Sequence, residues 1–154
     1  MLIDTKRYFI LHAPRQTGKT STLLAMMETI NQGDEYKAIY SNIESAQAAR
    51  GDLTRGIPEI ARAICADAEY YLNDFVPRKL LHVITNTVKA EGLIAELLAR
   101  WCQASDKPLV LLLDEVDALV GDTLISLLRQ LRAGYNKRPR AFPISVILCG
   151  VRDV

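Results

Sequence analysis

The sequence predicts an α/β fold of three layers, with a mostly parallel sheet held between helices. Three observations predict it. Short unbroken apolar runs read as strands covered on both faces. Stretches with apolar residues at helical spacing separate those runs. Gly, Pro, Asn and Asp punctuate the junctions. Strands and helices in alternation argue for βαβ units, hence for a parallel sheet. With 154 residues, one domain over 1–154 is expected and two ordinary ones are not.

YFILHA (8–13) is an apolar run flanked by charge, the first strand. From Gly18 a helix follows, with Leu23, Met26 or Met27, and Ile30 on one face, ending at Asn31-Gln32-Gly33. KAIYSNIE (37–44) is the second strand. Residues 45–75 read as mostly helical, interrupted by Gly51, Gly56 and Pro58. There Ile57, Ile60, Ile64, Ala68, Tyr71 and Phe75 form one helical face. Residues 76–87 carry no pattern that assigns them. Leu93, Leu97 and Trp101 mark another amphipathic helix, closed by Ser105-Asp106-Lys107-Pro108. PLVLLLDEVD (108–117) is the strongest strand, and a helix with Leu124, Leu127 or Leu128, and Leu131 comes after it. A basic, Pro-containing turn from Asn136 to Pro143 precedes the last strand, ISVILCGV (144–151).

The composition is 49% apolar and 24% charged, with a net charge of +1, the balance of a globular core. That charge gives no reason to expect a nucleic-acid or membrane partner, although a local patch can still act. Cys65, Cys102 and Cys149 show neither zinc spacing nor a disulfide framework. Buried thiols in a reducing compartment, the cytoplasm, are the expectation. The opening MLIDTKRYFILHA is too short for a membrane span and lacks a signal-peptide layout.

Ala13-Pro14-Arg15-Gln16-Thr17-Gly18-Lys19-Thr20 fits the phosphate-loop pattern G-x-x-x-x-G-K-[ST] at every fixed position but the first. Such a loop turns backbone N–H groups inward, onto an anion at the start of a helix. Gly18 permits a conformation that a Cβ hinders, Lys19 sets a point charge on the outer phosphates, and Thr20 offers a hydroxyl to Mg²⁺. With Ser21, these residues are the expected nucleotide contacts. Ala13 is the departure. At positive φ it costs about 1 kcal/mol, and in the β region little, so function is expected to survive. A buried strand before the motif and an amphipathic helix after it separate this reading from a Lys-Thr pair at an ordinary helix start.

The apolar run 109–113 ends in Asp114-Glu115. Carboxylates at the end of a buried strand are expensive unless something positive meets them. Opposite a phosphate loop, Mg²⁺ fills that part, with Thr20 and Asp114 as the metal-site residues. Glu115 is placed to orient or deprotonate the attacking water. Asp122 reads as a first-turn acid of the next helix, and Asp117 as solvated or structural.

APRQTGKT and LVLLLDEVDAL together resemble the AAA+ and STAND branch of the ASCE-type P-loop NTPases, over residues 7–152. The resemblance implies ATP as the nucleotide, Mg²⁺-dependent hydrolysis with Glu115 and Lys19 as catalytic residues, and movement of attached domains. It also implies a sheet of order 5-1-4-3-2. This chain is thus expected to show 1-4-3-2, with the loop strand at an edge and the fifth strand and lid missing, a core incomplete at its C-terminus. Members carry a polar sensor of the γ-phosphate after the fourth strand, and Arg152 stands near that position.

Arg138 and Arg140 read as a solvated turn, or more sharply as a contact for a neighbouring subunit's phosphate or nucleic acid. His12 and His82 lack companions and read as structural. Three functions compete: an Mg²⁺-dependent ATPase core, a regulatory switch that binds ATP or ADP with little turnover, and a small-molecule kinase. The kinase is disfavoured because no acceptor-site pattern is visible. A homo-oligomer or attached C-terminal domains complete the expected partners.

Overall fold

The computed structural model describes residues 18–150 and the backbone of 9–12. Four parallel strands, β1 (Phe9–His12), β2 (Lys37–Asn42), β3 (Leu109–Asp114) and β4 (Ser145–Gly150), form one sheet in the order β1-β4-β3-β2. That is the expected order, with β1 at one edge and β2 at the other. Helix α1 (Lys19–Gln32) covers one face; α2 (Leu53–Leu72), α4 (Ala90–Ala104) and α5 (Gly121–Ala133) pack on the other, with α3 (Val76–Ile84) against α2 and α4.

The alternation of side chains along each strand sorts the core into two layers. Ile39, Leu109, Leu111, Leu113, Val146 and Leu148 face the helical layer built on Trp101, Ile60 and Ile64. Ala38, Tyr40, Val110, Leu112, Ile147 and Cys149 face α1, where they meet Leu23, Met27 and Ile30. Continued by one step, the second set places Asp114 on the α1 face. Cys65, Cys102 and Cys149 are buried and unbridged, as expected.

Several local expectations are corrected. Gly56 and Pro58 lie inside α2 rather than breaking it. The helix is started by Asp52, whose side chain accepts from the Thr54 amide at 3.1 Å, and it is stopped by Asn73 at φ 53°. Gly56 serves packing: a Cβ there would lie 2.6 Å from Thr123 Cγ2, where α5 crosses. Phe75 does not continue the α2 face; it precedes α3 and is 49% exposed.

The unassigned stretch 76–87 contains α3, just before which the Asp74 side chain accepts from the Val76 amide at 3.0 Å. Asp114 ends β3, and Val116–Ala118 form a 3-10 turn instead of further strand. Asp117 is buried, 8% exposed, with Gly150 packed beside it, so the solvated alternative for it fails and the structural one stands. Asp122 lies in the first turn of α5.

Candidate nucleotide site

The site lies where the C-terminal end of β3 meets the N-terminus of α1. Gly18 caps α1 at φ 74°, in the left-handed region, and among the described residues no atom beyond its chain neighbours stands within 4 Å of where its Cβ would be. Its requirement is therefore conformational rather than steric. Thr22 closes the first turn, its amide donating to the Gly18 carbonyl at 2.9 Å and its hydroxyl at 3.1 Å. Lys19, Leu23, Met27 and Ile30 are the buried positions of α1. Lys19 thus begins the stripe that faces the sheet, which draws its ammonium into the cleft rather than into water.

There Lys19 Nζ donates to Asp114 Oδ1 at 2.6 Å and to Glu115 Oε1 at 2.8 Å. Thr20 Oγ1 donates to Asp114 Oδ2 at 2.8 Å, as does the Tyr40 hydroxyl, also at 2.8 Å. The Glu115 amide completes the set, donating to Asp114 Oδ1 at 2.9 Å. Each carboxylate oxygen accepts two hydrogen bonds. Asp114 is 0% exposed, and such burial is tolerable only with partners of this number and charge.

The electrostatics follow. Burial pushes the Asp114 carboxyl up, but the hydrogen bonds from Lys19, Tyr40 and Thr20 and the Lys19 charge outweigh it, holding the group below its ordinary value. Burial likewise disfavours the Lys19 ammonium, and the bonds and charges of Asp114 and Glu115 reverse that, so its pKa is raised. Glu115 stands at φ 61°, a left-handed conformation that a β-carbon disfavours. Sheet-end backbone strain of this kind redirects the side chain, here back toward Lys19.

Of the residues expected from the sequence, Lys19, Thr20, Asp114 and Glu115 come together in this cluster, and Gly18 stands beside them. Ser21 lies in the first turn of α1, exposed. Ala13, Pro14, Arg15, Gln16, Thr17 and Arg152 lie outside the described residues, as does the side chain of His12.

Tyr40 escaped the sequence reading. Its signal was the period of two along β2: Tyr40 pairs with Leu112 in register, and Asp114 is the next residue on that face. A diagonal neighbour of this kind is within reach of an aromatic side chain. Arg138 is engaged by its own turn, its guanidinium 3.7 Å over the Tyr135 ring and donating to the Ile144 carbonyl at 3.2 Å. Arg140 and His82 are exposed.

The oxygens gathered here, the Thr20 hydroxyl and the Asp114 and Glu115 carboxylates, are the hard set that suits Mg²⁺, so Thr20 and Asp114 fit such an ion. Among the described residues no three His, Cys, Asp or Glu side chains form a metal cluster. A cleft of about 640 Å³ opens at the other end of the sheet, around Lys37, Asp74, Trp101 and Ser105. Of its two carboxylates, Asp74 and Asp106, the first is held by Lys37 at 3.2 Å and by the Trp101 indole at 2.9 Å. No helix of the described residues is long and apolar enough to cross a membrane.

A family model described as an AAA domain matches residues 3–154. A search among curated proteins finds no match. Among solved structures, Cdc6p from Pyrobaculum aerophilum is similar at a TM-score of 0.51 and 25% identity, over 94% of this chain and 32% of that one. The chain thus spans about a third of the length of that relative. With strand order and family match in agreement, the chain belongs to the AAA domain family, as a nucleotide-binding domain with the AAA+ P-loop architecture.

Proposed function

We propose that this domain binds ATP with Mg²⁺ and hydrolyses it. The observation that carries the proposal is the single hydrogen-bonded cluster of Lys19, Thr20, Asp114 and Glu115 at the end of β3. In this reading the backbone amides of Ala13, Arg15, Gln16, Thr17, Gly18 and Ser21 grip the phosphates, while Pro14, which has no N–H, shapes the turn. Lys19 exchanges its carboxylate partners for the β- and γ-phosphate oxygens. Thr20 and Asp114 hold Mg²⁺, which when bound neutralises charge on those oxygens. Glu115, freed as Lys19 turns away, accepts a proton from the water whose oxygen attacks the γ-phosphorus, with ADP leaving. Arg152, two residues past β4, is the candidate sensor of the γ-phosphate. Assembly with further copies or with attached domains is proposed on family grounds, and sedimentation with and without Mg²⁺-ATP tests it.

The test is Glu115→Gln. Loss of a general base lowers turnover by about 10²-fold or more, while ATP remains bound. Undiminished hydrolysis in that variant would sink the assignment. A second reading, a STAND-type switch that binds ATP or ADP with little turnover, is favoured by the Glu115–Lys19 bond of 2.8 Å, which nucleotide must displace. It predicts negligible turnover in the parent protein and an ATP-induced conformational change that survives Glu115→Gln.

A further inference from the structure

We propose that Tyr40 is a positioning residue for the metal-facing carboxylate: its hydroxyl pins Asp114 Oδ2 and thereby fixes the direction in which Thr20 presents its oxygen to the cation. The inference rests on the Mg²⁺-nucleotide reading above. Both Thr20 Oγ1 and Tyr40 Oη donate to the same oxygen, each at 2.8 Å. With its proton committed to Asp114, the Thr20 hydroxyl keeps its lone pairs for a metal. That orientation holds only if the carboxylate does not rotate.

Four donors oppose rotation, but they are not equivalent. Lys19 must leave for the phosphates, Thr20 is the group being oriented, and the Glu115 amide sits on a strained turn. Tyr40 alone comes from a separate strand, β2, and its ring is 5% exposed within the core under α1. The ring is itself set in place. It meets Tyr71 edge-on with centroids 6.2 Å apart, and Tyr71 meets Tyr70 likewise at 4.9 Å. A hydroxyl that locks a ligand's partner in this way affects metal affinity without touching the metal.

The experiment follows the thermal midpoint of the protein at saturating ADP while Mg²⁺ is titrated, beside a control in EDTA. Tyr40→Phe keeps the ring and removes only the donor. The Mg²⁺ concentration for half-effect is expected to rise about tenfold, the lower end for loss of an outer-shell partner, with the ADP response in EDTA unchanged. Tyr71→Phe, a neighbouring ring without a bond to Asp114, is expected to leave both responses as they were.

An unchanged Mg²⁺ response in Tyr40→Phe reduces Tyr40 to packing and overturns the role. A tighter response overturns it too, because Tyr40 would then compete with a metal-bound water. A parent protein indifferent to Mg²⁺ would sink the metal reading itself, and this inference with it. Should Tyr40→Phe fail to fold, the parent chain carrying 3-fluorotyrosine at position 40 supplies the answer. Its fluorine resonance is expected to shift when Mg²⁺ is added to the ADP complex, and a fixed resonance refutes the proposal.

Discussion

Lys19→Ala tests whether the phosphate-loop lysine is also a structural member of the sheet end. Lys19 is 7% exposed and Asp114 0%, so their contact is a buried ion pair. Removing one partner of such a pair costs about 3–5 kcal/mol, because the other charge is stranded. Here the stranding is partial. Asp114 keeps Thr20, Tyr40 and the Glu115 amide, and the Glu115 side chain is 12% exposed, within reach of water. The expected loss is therefore reduced to about 2–3 kcal/mol. For a chain of this length that lowers the midpoint by roughly 5–10 °C.

Urea and thermal unfolding at pH 7 in EDTA, without nucleotide, measure it. The double variant Lys19→Ala/Asp114→Asn should lose less than the sum of the singles, since the second change removes the charge that the first one strands. A Lys19→Ala protein within about 0.5 kcal/mol of the parent would behave like a surface substitution, and the reasoning would fail.

Two more predictions follow from contacts elsewhere. Gly56→Ala drives a methyl to 2.6 Å from Thr123 Cγ2 and disturbs the Thr123 hydroxyl, which donates to the Arg50 carbonyl at 2.7 Å. A loss of about 1–3 kcal/mol is expected in urea unfolding, and Thr123→Ala should relieve part of it in the double variant. Asp114 and Asp74 both have folded pKa values below the ordinary carboxylate value. In each, burial pushes upward and is outweighed, by Lys19, Tyr40 and Thr20 for Asp114 and by Trp101, the Val76 amide and Lys37 for Asp74. A depressed carboxylate contributes stability above its unfolded pKa of about 4 and loses it as pH falls through the lower folded value. Unfolding free energy should thus decline on acidification below about pH 4, and a flat profile there contradicts the assignment.

How much of this was legible in the sequence depends on which residues carried the signal. The strands β3 and β4 are buried on both faces, so their unbroken apolar runs announced them, and the parallel order followed from the resemblance. The helix α3 was missed because it is short and half-exposed: Pro77 and Ile84 are its only buried positions, seven residues apart, too sparse to set a period. Asp74 followed by Pro77 was the available start signal. Gly56 misled because glycine reads as a breaker in a sequence, whereas its role is to let Thr123 approach, a fact about α5 rather than α2. At the site, the motif residues were legible because their chemistry is local. Tyr40 was not, because its partner lies 74 positions away and only strand register brings them together.

The same geometry explains how a lysine can be both buried partner and mobile ligand. A buried carboxylate relying on Lys19 alone would hold it tightly, since releasing the cation would strand the anion. Asp114 does not rely on Lys19 alone. Three donors from three different places, Thr20 on α1, Tyr40 on β2 and the amide of Glu115, remain when the ammonium departs. Under the proposed function, moving Lys19 to a phosphate then exchanges one anionic partner for another, while the carboxylate stays satisfied and ionised. Glu115, with fewer partners and more water, is the group most changed by the move: it loses its 2.8 Å cation and becomes available as a base. One displacement would thus couple phosphate binding to activation of the hydrolytic residue. The coupling depends on the Asp114 shell being over-complete, so thinning that shell at Thr20 should slow the release of Lys19 and weaken nucleotide binding together.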